Sequence, residues 1–269
     1  MQRCNFHTHT KYSDGHDTPT EMLERAMELD FRALGFSDHS YTHRREDYPM
    51  SIEGQREYCR EIRELAERFS GSIRVYCGIE QDAESELPAG EYDYILSSVH
   101  ELVYHGEFYP LDLCEAEQRR AVDTLFGGSY VELAKVYFDR LTEHVIRQKT
   151  DIVGHFDLIT KYGLIPEEDT EYVDAALEAV REIVRHCRVF ELNTGAIARG
   201  LRSVPYPAAF IVDEVRRLGG SFIINSDCHY RDRLCCWFEE GERFLESHGF
   251  TKDEHADLND IVRDIELWR

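Results

Sequence analysis

Short apolar runs alternate along this chain with polar clusters and amphipathic stretches. The first cycle is the clearest. "TPTE" at Thr18–Glu21 sets a capping Thr, a Pro at the first helical position and a Glu at the third, ahead of an apolar stripe through Met22, Leu23, Ala26, Met27 and Leu29. Further helices are predicted over about 52–69, 130–147, 172–186 and 208–218. Strands are predicted just before His7, at 32–36, 73–79 and 92–99, in "DIVG" before His155, and at 189–192 and 221–225. Residues 100–130 begin as a long polar loop, and residues 231–269 are predicted to close the chain with one or two helices.

Seven strands alternating with helices predict a parallel sheet with right-handed crossovers. An open sheet would gather its ligand groups at one switch point. Here nearly every strand ends in His, Asp, Glu or Asn, and many strand ends meet only if the sheet curls shut. The predicted fold class is therefore α/β, a seven-stranded TIM-like barrel. No linker, composition break or repeat divides the chain, so residues 1–269 are predicted to form one domain.

Composition narrows the partners. Lys and Arg number 31 against 53 Asp and Glu, a formal net charge of −22 over 269 residues. Such a field repels nucleic acid and anionic membrane, but a small anion remains admissible where bound cations sit in the pocket. No apolar stretch is long enough to span a bilayer. The eight cysteines form no CxxC and no signal peptide is evident, so a cytoplasmic protein with reduced thiols is expected, a monomer by default.

The chemistry-bearing positions fall at the strand ends. "CNFHTHT" places His7 and His9 one residue apart, and "INSDCHY" does the same with Asp227 and His229. On an extended segment, residues i and i+2 share a side, so each pair can grip one ion. Asp14, His39, Glu80, His100 and His155 complete the set. A lone His after a strand is more often solvated than ligating; the two pairs and the common register of all nine argue otherwise. His16, His105, His144, His186, His248 and His255 lack that register and are read as solvated. Nitrogen with oxygen ligation suits Zn, Mn or Fe, and nine ligands exceed one ion's needs, so two or three divalent ions sharing a carboxylate are expected. Paired ions are a recurrent device for phosphoryl hydrolysis.

No GxSxG suggests a covalent route, and "FGGS" (126–129) matches neither a Walker loop nor a dinucleotide fingerprint, so no organic cofactor is expected. Asp14 and His229 are candidates for proton delivery to the leaving group. Lys161 in "DLITKYG" is a candidate substrate-binding cation, with Arg202 a weaker one. The loops 40–47, carrying His43, and 105–120, carrying Asp112, are candidate walls of the pocket, with His43 able to reach phosphate or substrate.

The ordered series "FHTHTKYSDG", "GFSDHS", "GIEQD", "SSVH", "VGHFDLITKYG", "ELNTGAIARG" and "INSDCH" resembles the polymerase-and-histidinol-phosphatase (PHP) family, and within it the histidinol-phosphatase branch. The resemblance runs from Phe6 to His229. It implies a distorted (β/α)7 barrel with a trinuclear centre at the carboxyl ends of the strands, acting on L-histidinol phosphate in histidine biosynthesis. His7, His9, Glu80 and Asp227 would hold one ion, Asp14, His39 and His229 a second, and Glu80, His100 and His155 a third. The resemblance also favours Arg199 as the phosphate-binding cation, for which its planar fork is suited. Cys228 stands where the family commonly has Ala, and packing behind the site is expected of it. Alternatives are another small phosphate ester as substrate, an amidohydrolase-type metal hydrolase, and a non-catalytic metal-binding module.

Overall fold

The computed structural model describes residues 1–45, 47–86 and 90–269. The chain runs β1 (Cys4–Asn5), α1 (Pro19–Glu28), β2 (Ala33–Phe36), α2 (Ile52–Phe69), β3 (Arg74–Asp82) and β4 (Tyr94–Ser98). Then come β5 (Glu101–Tyr104), β6 (Glu107–Pro110), α3 (Glu115–Phe126), α4 (Tyr130–Gln148), β7 (Ile152–Val153) and α5 (Thr170–Ile183). The chain closes with β8 (Val189–Asn193), α6 (Gly195–Ala198), α7 (Ala209–Arg217), β9 (Ser221–Asn225), α8 (Phe238–Ser247), β10 (Lys252–Ala256) and β11 (Ile265–Trp268). The Thr18 hydroxyl and the Glu21 carboxylate cap the first helix reciprocally, as the sequence predicts.

One sheet runs in the order β1-β2-β3-β4-β7-β8-β9-β11-β10, and its first seven strands are parallel. It is an α/β fold with a strongly curled parallel sheet. The curl brings β1 against β9. Thr8 and Cys228 form a parallel bridge, and the His9 N–H donates to the Cys228 carbonyl at 3.0 Å. Side chains complete the seam: Gln2 Nε2 donates to the Ile224 carbonyl at 2.7 Å, and the Phe6 N–H donates to Asn225 Oδ1 at 2.8 Å. Buried amides thus do the work of a regular ladder where the two strands diverge.

Two apolar clusters lie on opposite faces of the sheet. The larger joins the strands to the helices; the smaller gathers Phe6, Tyr76, Tyr94, Leu96, Ile152 and Ile223 inside the curl. Tyr94 spans that interior, its hydroxyl donating to the carbonyls of Phe6 and Phe36 at 2.8 and 3.0 Å. A side chain at Gly78 would stand 2.1 Å from its ring, so only glycine fits there.

Three expectations are corrected. The stretch after His100 is an antiparallel hairpin, β5–β6, followed by α3, rather than a long loop. Residues 231–269 hold one helix, α8, and then two antiparallel strands that extend the sheet from β9. The charged run "KDEHA" hides an edge strand, where charge guards against further pairing. His144 is fully buried rather than solvated: it lies on the inner face of α4 with Nε2 2.7 Å from the Gln81 carbonyl.

Burial lowers the His144 pKa to about 4 from an ordinary 6.5. The unfolded chain therefore binds a proton between pH 6.5 and 4 that the folded chain refuses, and stability falls as pH drops through that window. By pH 5 the loss from this group is about 2 kcal/mol. In chelator-treated protein, His144→Gln should remove that share of the acid sensitivity; urea unfolding at pH 7 and pH 5 measures it, and an unchanged pH difference would contradict the assignment.

Candidate metal centre

The nine predicted positions come together at the carboxyl ends of the parallel strands. Glu80, two residues before the carboxyl end of β3 and 1% exposed, sits at the hub. Its Oε1 lies 3.1 Å from His155 Nε2 and 3.4 Å from His100 Nε2. Its Oε2 lies 3.0 Å from His39 Nδ1, 3.2 Å from His7 Nε2 and 3.5 Å from His9 Nε2. Register explains the convergence: β2 continues beyond its last residue so that His39 bridges Glu80 in parallel pairing.

Asp227 Oδ1 stands 3.2 Å from His9 Nε2 and 3.6 Å from His7 Nε2. Asp14 reaches His229 Nε2 at 3.2 Å with one oxygen, and with the other lies 3.7 Å from both His9 and His39. The ligand atoms form four groups with all members within 4.8 Å: His9–Asp14–His39–His229, His7–Glu80–His155, His7–His9–Asp227 and His39–Glu80–His100. Asp227 is not in the extended conformation assumed from its spacing; its φ of 47° is left-handed. Cys228 between the pair is buried in the larger apolar cluster.

The donor set fits divalent cations. Among the described residues, His7 Nε2, both ring nitrogens of His9, His39 Nδ1, His155 Nδ1 and Glu80 Oε2 are buried without a hydrogen bond. Imidazole lone pairs facing carboxylate oxygens at these distances repel unless a proton or a metal ion lies between them. The electrostatics carry the same signature. Burial opposes protonation of His7, but Glu191, Glu80 and Asp227 outweigh it and hold its pKa well above the imidazole range. Burial likewise opposes the charge on His100, yet Glu80 and Asp82 push it up to about 10. His9 goes the other way, to about 3, through burial and then the neighbouring His229 and His39. Against the cost of burial, the imidazoles of His7, His39 and His100 hold Glu80 far below the carboxylate range.

The centre opens into a cavity of about 690 Å³ whose wall includes Arg45, Asp112, Lys161, Arg199 and Arg233. Arg199 donates to Asp227 Oδ2 at 3.0 Å and borders the cavity. Lys161 is also at the wall, but its ammonium is committed to the Asp112 carbonyl at 2.8 Å and carboxylate at 3.3 Å. The Tyr162 hydroxyl donates to the same carbonyl, so the two residues clamp the Asp112 loop. His43 is not brought to the cavity; it is exposed and paired with Glu86 at 2.8 Å. Arg202 is turned inward to Thr160 and Glu167. Glu46, in the 40–47 loop, lies outside the described residues.

The sequence reading missed several contributors. Asp82 accepts from the His100 N–H at 2.7 Å and faces its Nδ1 at 3.1 Å. It stands two residues after Glu80 on the same strand, a spacing that could have flagged it. Glu191 was visible only as a charge inside the apolar run "VFELN". Asp38 accepts from the N–H and hydroxyl groups of both Thr10 and Ser13, shaping the loop that carries Asp14. His16, read as solvated, also lines the cavity, stacked on Tyr230 at 4.0 Å.

Residues 5–195 match the PHP domain family, and the chain belongs to it. A Deinococcus radiodurans protein assigned as histidinol-phosphatase is 30% identical over 239 residues, covering 84% of this chain and 86% of its own. Among solved structures, the fold is similar to a Listeria monocytogenes protein assigned as the histidinol phosphatase HisK (TM-score 0.71, 20% identity, 88% of this chain and 99% of that one). It is similar also to the Lactococcus lactis histidinol phosphate phosphatase solved with Zn, L-histidinol and phosphate (TM-score 0.67, 19% identity, 93% and 95% coverage).

So many unsatisfied donors and acceptors make the stripped protein less stable than the loaded one. Adding Zn²⁺ or Mn²⁺ well above its dissociation constant should raise the melting midpoint by on the order of 10 °C. Glu80→Gln should abolish most of that shift in scanning calorimetry. An ion-insensitive wild-type midpoint would contradict the centre.

Proposed function

We propose that this chain is a divalent-metal-dependent phosphomonoesterase that hydrolyses L-histidinol phosphate to L-histidinol and phosphate, in histidine biosynthesis. The observation that carries the chemistry is the convergence of five imidazoles on the buried Glu80 carboxylate, under a cavity bordered by Arg199. The substrate choice is supported by the assignment of the Deinococcus relative and by the ligands of the Lactococcus structure. We read residues 1–269 as one domain and the curled sheet as a distorted seven-stranded barrel with the centre at its carboxyl-terminal mouth. The net charge of −22 supports a small substrate rather than nucleic acid or an anionic membrane, and among the described residues no helix is long and apolar enough to cross a membrane. A cytoplasmic monomer is the corresponding expectation.

We assign His7, His9, Glu80 and Asp227 to one ion, Asp14, His39 and His229 to a second, and Glu80, His100 and His155 to a third; two or three ions of Zn, Mn or Fe suit this donor set. When bound, such ions supply an activated water and neutralise phosphate oxygens. The chain's own groups do the rest. Arg199, oriented by Asp227, uses its remaining N–H groups on the phosphate. Asp14 and His229 are the most exposed members of the set, and the proton for the leaving oxygen is assigned to that pair. Lys161 serves by holding Asp112 at the mouth, where a carboxylate suits the cationic leaving group.

With metal-stripped enzyme re-supplied with Mn²⁺ or Zn²⁺, kcat/KM should favour L-histidinol phosphate over 4-nitrophenyl phosphate by at least about 100-fold. Arg199→Ala should lower it by about 100- to 1,000-fold. Turnover of the aryl ester alone would keep the chemistry and discard the substrate; turnover of neither would discard both.

A further inference from the structure

Glu191 lies outside the set of nine, yet it touches two of them at once. Its carboxylate, on β8 and 1% exposed, accepts four hydrogen bonds. The donors are His7 Nδ1 at 2.8 Å, the His155 backbone N–H at 2.6 Å, Asn193 Nδ2 at 2.8 Å and Asn225 Nδ2 at 3.1 Å. The two amides, from the ends of β8 and β9, fix the carboxylate in place. It then has one oxygen for His7, which follows β1, and the other for His155, which follows β7.

Each contact has a distinct consequence. An ionised carboxylate only accepts, so the neutral His7 ring keeps its proton on Nδ1 and turns the lone pair of Nε2 toward Glu80 and Asp227, free for an ion. The bond to the His155 N–H fixes the backbone where the chain leaves β7, with the His155 ring 3.1 Å from Glu80 Oε1. Asp82 offers the contrast. Of the nine it contacts only His100, through the N–H and Nδ1, and so orients a single imidazole; its other oxygen accepts from the Glu84 N–H at 2.7 Å.

We infer that Glu191 is a positioning residue that couples the His7 and His155 sides of the centre, so that ions there are taken up together rather than independently. The inference rests on the metal-centre reading above. It assigns to one carboxylate outside the ligand set the geometry of ligands carried by two separate strands.

The test compares wild type, Glu191→Gln and Asp82→Asn by Zn²⁺ titration against a competing chelator. It adds metal counts by plasma emission, Co²⁺ absorption spectra, and ¹⁵N-histidine spectra of the zinc-loaded proteins. In Glu191→Gln an NH2 donor replaces one of the two acceptor oxygens, so either the His7 or the His155 contact is lost. Zn²⁺ affinity at the His7 and His155 side should fall about 10- to 100-fold, the uptake curve should lose its steepness, and the Nδ1–H tautomer of His7 should no longer be uniquely populated. Asp82→Asn should weaken one ion and leave the steepness intact. Wild-type affinity, curve shape and tautomer in Glu191→Gln would overturn the inference, as would a lower melting midpoint of the metal-free protein with unchanged binding. Should Glu191→Gln fail to fold, Glu191→Asp keeps the charge with one methylene less. Weaker uptake with the full metal count regained in excess Zn²⁺ supports the inference, and wild-type affinity overturns it. A wild-type protein that binds no Zn²⁺ would instead remove the metal-centre reading itself.

Discussion

A buried carboxylate inside the protein must be neutralised, and Glu80 is the one on which the rest of this structure turns. Leaving such a charge without a partner costs several kcal/mol even after relaxation. Here five imidazoles from four segments gather around it, all within 3.5 Å. That geometry demands that the strands converge. A flat sheet with strands about 4.8 Å apart could not bring β1, β2, β4 and β7 to one point beside β3. The curl, the seam between β1 and β9, and the glycine that makes room for Tyr94 are therefore parts of one constraint.

The same constraint leaves the metal-free centre costly. Protons stand in for cations at His7 and His100, whose basicity is raised by the surrounding carboxylates. His9, pressed between His39 and His229, is kept neutral. A divalent ion relieves both kinds of strain at once, by meeting lone pairs and by offsetting carboxylate charge. The outer carboxylates Glu191 and Asp82 add fixed negative charge and orientation behind the imidazoles. Arg199, paired with Asp227 at the cavity wall, is the cation proposed for the phosphate, which would reconcile an acidic protein with an anionic substrate.

Much of this was legible in the sequence, for physical reasons. The two i, i+2 pairs stand out because strands end abruptly at them, and alternation of strand and helix announces the parallel sheet. Helix boundaries followed apolar periodicity and caps, as at Thr18. What escaped notice lacks such signals. Glu191 and Asp82 are charges within apolar strands, intelligible only once their partners across the sheet are known. His144 reads as polar yet faces inward, because one carbonyl satisfies it. The β10 strand has a charged edge sequence that hides its extended state, and the left-handed backbone at Asp227 breaks the simple rule by which its orientation was argued.

Anomalous diffraction from crystals grown with Zn²⁺, recorded on both sides of the zinc edge, would locate the ions directly. Zinc peaks are expected flanking the Glu80 carboxylate, within about 2.0–2.2 Å of nitrogens from His7 or His9 and of oxygens from Glu80 or Asp227. Imidazoles bonded only to Glu80, Asp227 and ordered water, with no anomalous signal above background, would contradict the metal-centre reading.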